Sequence, residues 1–166
     1  MRWVLALAPL CGCSLVLDFS PKAVPTDAMI DAPYDRAACQ YMEPNDTIDT
    51  ATTMQPGTDT GPAAICPLVM GVDDLDYYKF TVPAGTMKVT VATAFVNRLG
   101  DLDMRLFAAS TQALVAESLG FTDGETITCP ASSPPCPMLA AGDYIFEVFG
   151  AEAGVTNGYT FSVALQ

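Results

Sequence analysis

The sequence predicts an all-β fold, a sandwich of about eight antiparallel strands, on three observations. From about residue 47 onward, apolar residues come in short runs rich in β-branched and aromatic side chains. Several runs alternate apolar and polar residues with a period of two, the pattern of a strand with one buried face. Gly, Pro, Asp and Asn punctuate the runs at the spacing of turns, and no convincing long helix intervenes.

The expected strands cover residues 64–72, 77–82, 88–95, 102–108, 113–119, 125–128, 144–149 and 159–165. Alternation is clearest over 87–91, 144–149 and 159–163. Turns are expected at Pro83-Ala84-Gly85, residues 97–101, Asp123-Gly124, Ala141-Gly142-Asp143 and Asn157-Gly158. Between 104 and 119, Leu106, Ala109, Ala113, Leu114 and Ala116 also fit a helical spacing. Thr111-Gln112 reads there as a hairpin turn, which favours two strands.

Three segments precede or contain this pattern: a signal peptide over 1–12, a lipidated flexible tether over 13–38 and the β-domain over 39–166. Met1-Arg2, an apolar run over 3–10 and small residues before a cysteine form an export signal. Leu10-Cys11-Gly12-Cys13 resembles the bacterial lipobox, which implies acylation of Cys13. The apolar stretch 3–17 holds 15 residues (17 − 3 + 1), short of the roughly 20 that a membrane span needs. A lipid on Cys13 makes the membrane a partner through that anchor, in the cell envelope. Ser14, where Asp would retain a lipoprotein at the inner membrane, points to the outer membrane; without lipid the chain is secreted. The tether is broken by Pro21, Pro25 and Pro33. Asp27, Asp31 and Asp35 stand four apart, a spacing at which like charges repel on a helix, so an extended solvated linker is expected.

Composition removes several functions. Seven basic residues against 19 acidic give a net charge of −12, which excludes nucleic acid as a partner. The chain has no histidine, so Ser-His-Asp and Cys-His catalysis and His-ligated zinc are excluded. With Cys11 lost and Cys13 acylated, Cys39, Cys66, Cys129 and Cys136 remain, and an exported chain uses such a set for disulfides. Three pairings exist. The compact Pro130–Pro135 loop favours Cys129–Cys136, leaving Cys39–Cys66.

Two acidic clusters stand out. Glu43-Pro44-Asn45-Asp46 closes the linker, and Asp73-Asp74-Leu75-Asp76 runs into Tyr77-Tyr78-Lys79-Phe80. The only charges between them are Asp49 and Asp59. Carboxylate and amide oxygens in two clusters are the hard ligand set that calcium takes.

These residues, with Thr47, Ala51, Gly71, Asp101-Leu102-Asp103, Leu106-Phe107, Gly142-Asp143-Tyr144 and Tyr159, resemble the bacterial pre-peptidase C-terminal (PPC) domain. The resemblance covers roughly residues 40–166. It implies a jelly-roll-like β-sandwich related to the collagen-binding domains of clostridial collagenases, where calcium sits between linker and sandwich. Glu43, Asn45 and Asp46 match the linker ligands, and Asp73 and Asp76 match the two before the aromatic strand. Tyr41 departs from the pattern, replacing an acidic ligand. Asp74 is expected to face solvent, and Asp101 to mark a structural turn. The expected function is a non-catalytic, membrane-anchored extracytoplasmic lipoprotein, displaying a calcium-stabilised module to an extracellular protein, peptide or glycan. The alternatives are an envelope component without metal, or a glycoside hydrolase using Asp101 and Asp103.

Overall fold

The computed structural model describes residues 38–66 and 73–166. The expected signal peptide, Cys13, the tether up to residue 37 and most of the strand expected over 64–72 lie outside the described residues. Eleven strands follow one another among them: β1 (Thr52–Thr53), β2 (Ala63–Ile65), β3 (Leu75–Val82), β4 (Val89–Phe95), β5 (Leu102–Ala108), β6 (Ala113–Ser118), β7 (Thr126–Cys129), β8 (Ala131–Ser132), β9 (Pro135–Cys136), β10 (Gly142–Gly150) and β11 (Asn157–Leu165). They form a five-stranded sheet, β1-β3-β10-β5-β6, a four-stranded sheet, β2-β11-β4-β7, and the small β8-β9 hairpin. Each of the eight longer strands has a counterpart among those expected. The additions are β1, β8 and β9, each two residues long and too short to show a period.

The period-two rows close the sandwich. Tyr78, Phe80 and Val82 of β3 point inward, as do Val89, Val91 and Phe95 of β4, Leu102, Met104 and Leu106 of β5, and Tyr159, Phe161 and Val163 of β11. At the centre Tyr78 and Phe161 stack across the two sheets at 4.5 Å, and Phe146 of β10 stands 5.0 Å from Tyr78. Such aromatic pairs add roughly 0.5–1.5 kcal/mol each beyond burial. Residues 104–119 form a hairpin, not a helix: β5 pairs antiparallel with β6 through a turn in which Gln112 adopts a φ of 54°.

The central strand β10 is buried on both faces. On the outer face Glu147 is only 4% exposed. Tyr77 Oη donates to it at 2.6 Å and Arg105 Nη1 at 3.4 Å. The Arg105 guanidinium lies 4.2 Å over the Phe149 ring. Neighbouring long side chains thus cover a carboxylate that alternation alone would place in water.

Two disulfides complete the frame. Cys39 joins Cys66, with Cα atoms 5.9 Å apart, and Cys129 joins Cys136, at 5.0 Å. The first ties the start of the described linker to the residue after β2. The second closes the β8-β9 hairpin.

Candidate metal centre

The linker is laid along the edge of β3. Asn45 is fully buried, and its backbone oxygen accepts from Tyr77 N at 3.0 Å. Thr47 and Thr50 cap a short 3-10 turn over Ile48–Thr50. The chain then enters β1, which pairs parallel with β3 in the register Thr52 to Tyr78. Thr52 Oγ1 donates to Met42 O at 2.7 Å, and Tyr41 and Met42 pack against the core.

This course brings Glu43 and Asn45 onto the end of β3. Asp76 lies in the inward row of that strand with Tyr78 and Phe80, and is 1% exposed. Its Oδ2 accepts from Tyr159 Oη, which shares a 2.8 Å hydrogen bond with Tyr78 Oη. Glu43 Oε2 accepts from Asn45 N at 2.9 Å. The Asn45 carboxamide stands between the two carboxylates. With its –NH₂ end turned to them it donates to Glu43 Oε2 at 2.9 Å and Asp76 Oδ1 at 3.1 Å. With its oxygen turned there, only acceptors face it.

Asp74 completes the group. It is 5% exposed, its Oδ2 accepts from Cys66 N at 2.6 Å, and its Oδ1 is buried without a partner. Ligand oxygens of Glu43, Asp74 and Asp76 all lie within 4.8 Å of one another.

The structure corrects one expectation here. Asp74, expected in solvent, is buried in the cluster. Asp73 is exposed, and its Oδ1 accepts from Gly154 N at 3.1 Å. The reason is phase. Counting back by two from Phe80 and Tyr78 gives Asp76 and then Asp74, so these two share the inward side, while Asp73 is out of step. That period was present in the sequence and is the signal that identifies Asp74. Asp46 is exposed at the rim, where its charge acts on Glu43, Asp74 and Asp76.

The electrostatics are those of crowded anions. Burial, the largest cause, raises the carboxyl pKa of all three. Glu43 lies above its usual value and Asp74 reaches about 6. Asp76 lies well above the ordinary range despite the opposing hydrogen bond from Tyr159. Among the described residues the only ion pairs are those of Arg105 with Glu117 and Glu147, so no described basic side chain neutralises the cluster. An oxygen cage of this kind suits a hard divalent cation.

Asp101 and Asp103 lie elsewhere, in the turn before β5 and on its outward row. Burial raises Asp103 to about 6, with the charges of Asp101 and Glu125 adding to it. Asp101 O accepts from Ala151 N at 3.0 Å, the structural turn contact expected there.

Residues 74–150 match the bacterial pre-peptidase C-terminal domain. The PPC match runs from Asp74 to the end of β10 and bears out, over that span, the resemblance read from the sequence. No curated protein matches the chain. Among solved structures, the chain is similar to the pre-peptidase C-terminal domain of collagenase from Bacillus anthracis, at 18% identity and a TM-score of 0.48, over 74% of this chain and 98% of that one. It is also similar to Aeromonas hydrophila PliG, a periplasmic inhibitor of g-type lysozyme, at 18% identity and a TM-score of 0.42, over 69% and 94%. A carbohydrate-binding module of Cellvibrio mixtus lichenase 5A matches at 13% identity and a TM-score of 0.35, over 64% and 86%.

Proposed function

We propose that this chain is a non-catalytic, membrane-anchored extracytoplasmic lipoprotein whose PPC sandwich is a binding and display module, fastened to its linker by calcium. One observation carries the metal reading: Asp74, which stands in a cage with Glu43 and Asp76, has a buried Oδ1 with no donor. Glu43, Asn45, Asp74 and Asp76 would hold the ion, with Asp46 at the rim. Calcium supplies positive charge where burial and mutual repulsion otherwise force these carboxyls toward the neutral form. The chain's own residues do the rest. Tyr159 orients Asp76, Cys66 N orients Asp74, and the Asn45–Tyr77 bond sets the linker on β3.

Acylation of Cys13 would hold the module at the envelope, at the outer membrane by the Ser14 argument. The absence of histidine supports a role in contact with an extracellular protein, peptide or glycan over a role in turnover.

The test is thermal unfolding of the full chain in detergent, with calcium and with chelator. At calcium a hundredfold above Kd the gain is about 2.7 kcal/mol, a rise of several degrees in Tm. An unchanged Tm removes calcium from the reading. Mass spectrometry of the protein from its host tests the lipid on Cys13, and an unmodified mature terminus removes the anchor.

A further inference from the structure

We infer that the Cys39–Cys66 bridge positions the cation ligands, so that making or breaking this one disulfide sets the divalent-cation affinity of the Glu43, Asn45, Asp74 and Asp76 cluster. The inference rests on the calcium reading above. The ligands come from two stretches of chain, and each stretch is attached to one half of the bridge. Glu43 and Asn45 follow Cys39 by four and six positions. On the other side the contact is direct: the Cys66 backbone N–H donates to Asp74 Oδ2 at 2.6 Å, and Asp74 Oδ1 is buried without a partner.

The two halves are held unequally without the bridge. The linker keeps other attachments, through Tyr41, Met42 and the Asn45–Tyr77 bond. Cys66 has fewer. It follows β2, an edge strand paired with β11 over three residues only. The cluster around it consists of Ala38, Ala64 and Cys39, all small side chains. Opening the bridge therefore releases mainly the Cys66 amide, and with it the orientation of Asp74. Loss of such an outer partner typically lowers metal affinity by about 10- to 100-fold.

The redox step is balanced by a thiol such as glutathione. Two glutathione thiols supply two electrons and two protons, the Cys39–Cys66 S–S bond breaks to two thiols, and glutathione disulfide forms. Linkage makes the effect reciprocal, so bound calcium resists that reduction by the same factor. A 10- to 100-fold factor corresponds to about 30–60 mV for a two-electron couple.

Calcium titration calorimetry on the full oxidised chain, on Cys39→Ser/Cys66→Ser and on Cys129→Ser/Cys136→Ser tests the inference. The first double variant is expected to bind about 10- to 100-fold more weakly, and the second as the parent does. Equal affinity in all three overturns the inference and leaves the calcium reading standing. No binding by the oxidised parent removes the calcium reading and this inference with it. A measurement on the parent sequence alone guards against a variant that folds poorly. Glutathione titration with and without calcium, read by alkylation of Cys39 and Cys66, is expected to show the shift, and an unshifted midpoint overturns the proposal.

Discussion

Asp74→Asn separates the cost of crowding carboxylates from the benefit of the ion that would relieve it. In the metal-free protein, burial first, and then the charges of Glu43 and Asp46, lift the Asp74 pKa from 3.8 to about 6 against the opposing Cys66 hydrogen bond. That difference is worth roughly 3 kcal/mol. The folded-state pKa is the higher one, so the folded chain binds this proton more tightly than the unfolded chain does. Stability from this group is full below 3.8 and is lost as pH rises through about 6. Near neutral pH the metal-free parent therefore carries the whole penalty. Asparagine carries no charge and still offers Cys66 N an acceptor, giving up about 1 kcal/mol of charge-assisted bonding. The metal-free variant should thus be more stable by about 2 kcal/mol, raising Tm by roughly 5–8 °C. Below pH 3.8 that advantage should vanish. In calcium the order should close up, because the variant has lost a ligand. At calcium a hundredfold above the parent's Kd, a variant binding about a hundredfold more weakly gains only about 0.4 kcal/mol. Calorimetric melts at two pH values, each in chelator and in calcium, measure all four corners. An Asp74→Asn protein that melts below the parent in chelator near neutral pH, and still shows the parent's full calcium shift, would refute the reasoning.

Three further outcomes are expected. Phe146→Ala removes a fully buried ring that touches Tyr78, Phe80 and Phe161, and should cost about 3–5 kcal/mol in denaturant unfolding. Arg105→Met leaves the buried Glu147 with Tyr77 as its remaining side-chain donor, and should cost about 1–3 kcal/mol at neutral pH; an unchanged midpoint would show that Tyr77 alone suffices. Cys129→Ser/Cys136→Ser opens a closure of 7 residues and should lower stability by about 2.4 kcal/mol without shifting the calcium titration.

Much of the sandwich was legible because its strands are half-buried and antiparallel. Residues such as Val89, Val91, Phe161 and Val163 announce their burial by alternation with Thr and Ser. The same rule, counted back from Phe80 and Tyr78 through Asp76, places Asp74 on the inward side, whereas the PPC resemblance pointed to Asp73. Glu147 was not legible. Its burial depends on Tyr77 and Arg105 lying alongside it on neighbouring strands, a fact of sheet order that no local pattern contains. The parallel pairing of β1 with β3 was equally hidden, since two threonines in a polar stretch carry no period. Asn45 was legible as an oxygen donor, but its complete burial follows only from the linker's course along β3.

The position of the Cys39–Cys66 bridge also decides how tension would travel. Any pull on the residues before Ala38 enters the domain at Cys39 and can pass through a covalent bond to Cys66 at the end of β2. The stretch from Gln40 to Met54, with Glu43, Asn45 and β1, is then a slack branch off the load path. With the bridge intact, such a pull arrives at Cys66, at the end of β2 and beside Asp74, and not along the contact of the linker with β3. With it open, the same force runs through Glu43 and Asn45 and peels the linker from β3, one hydrogen bond after another.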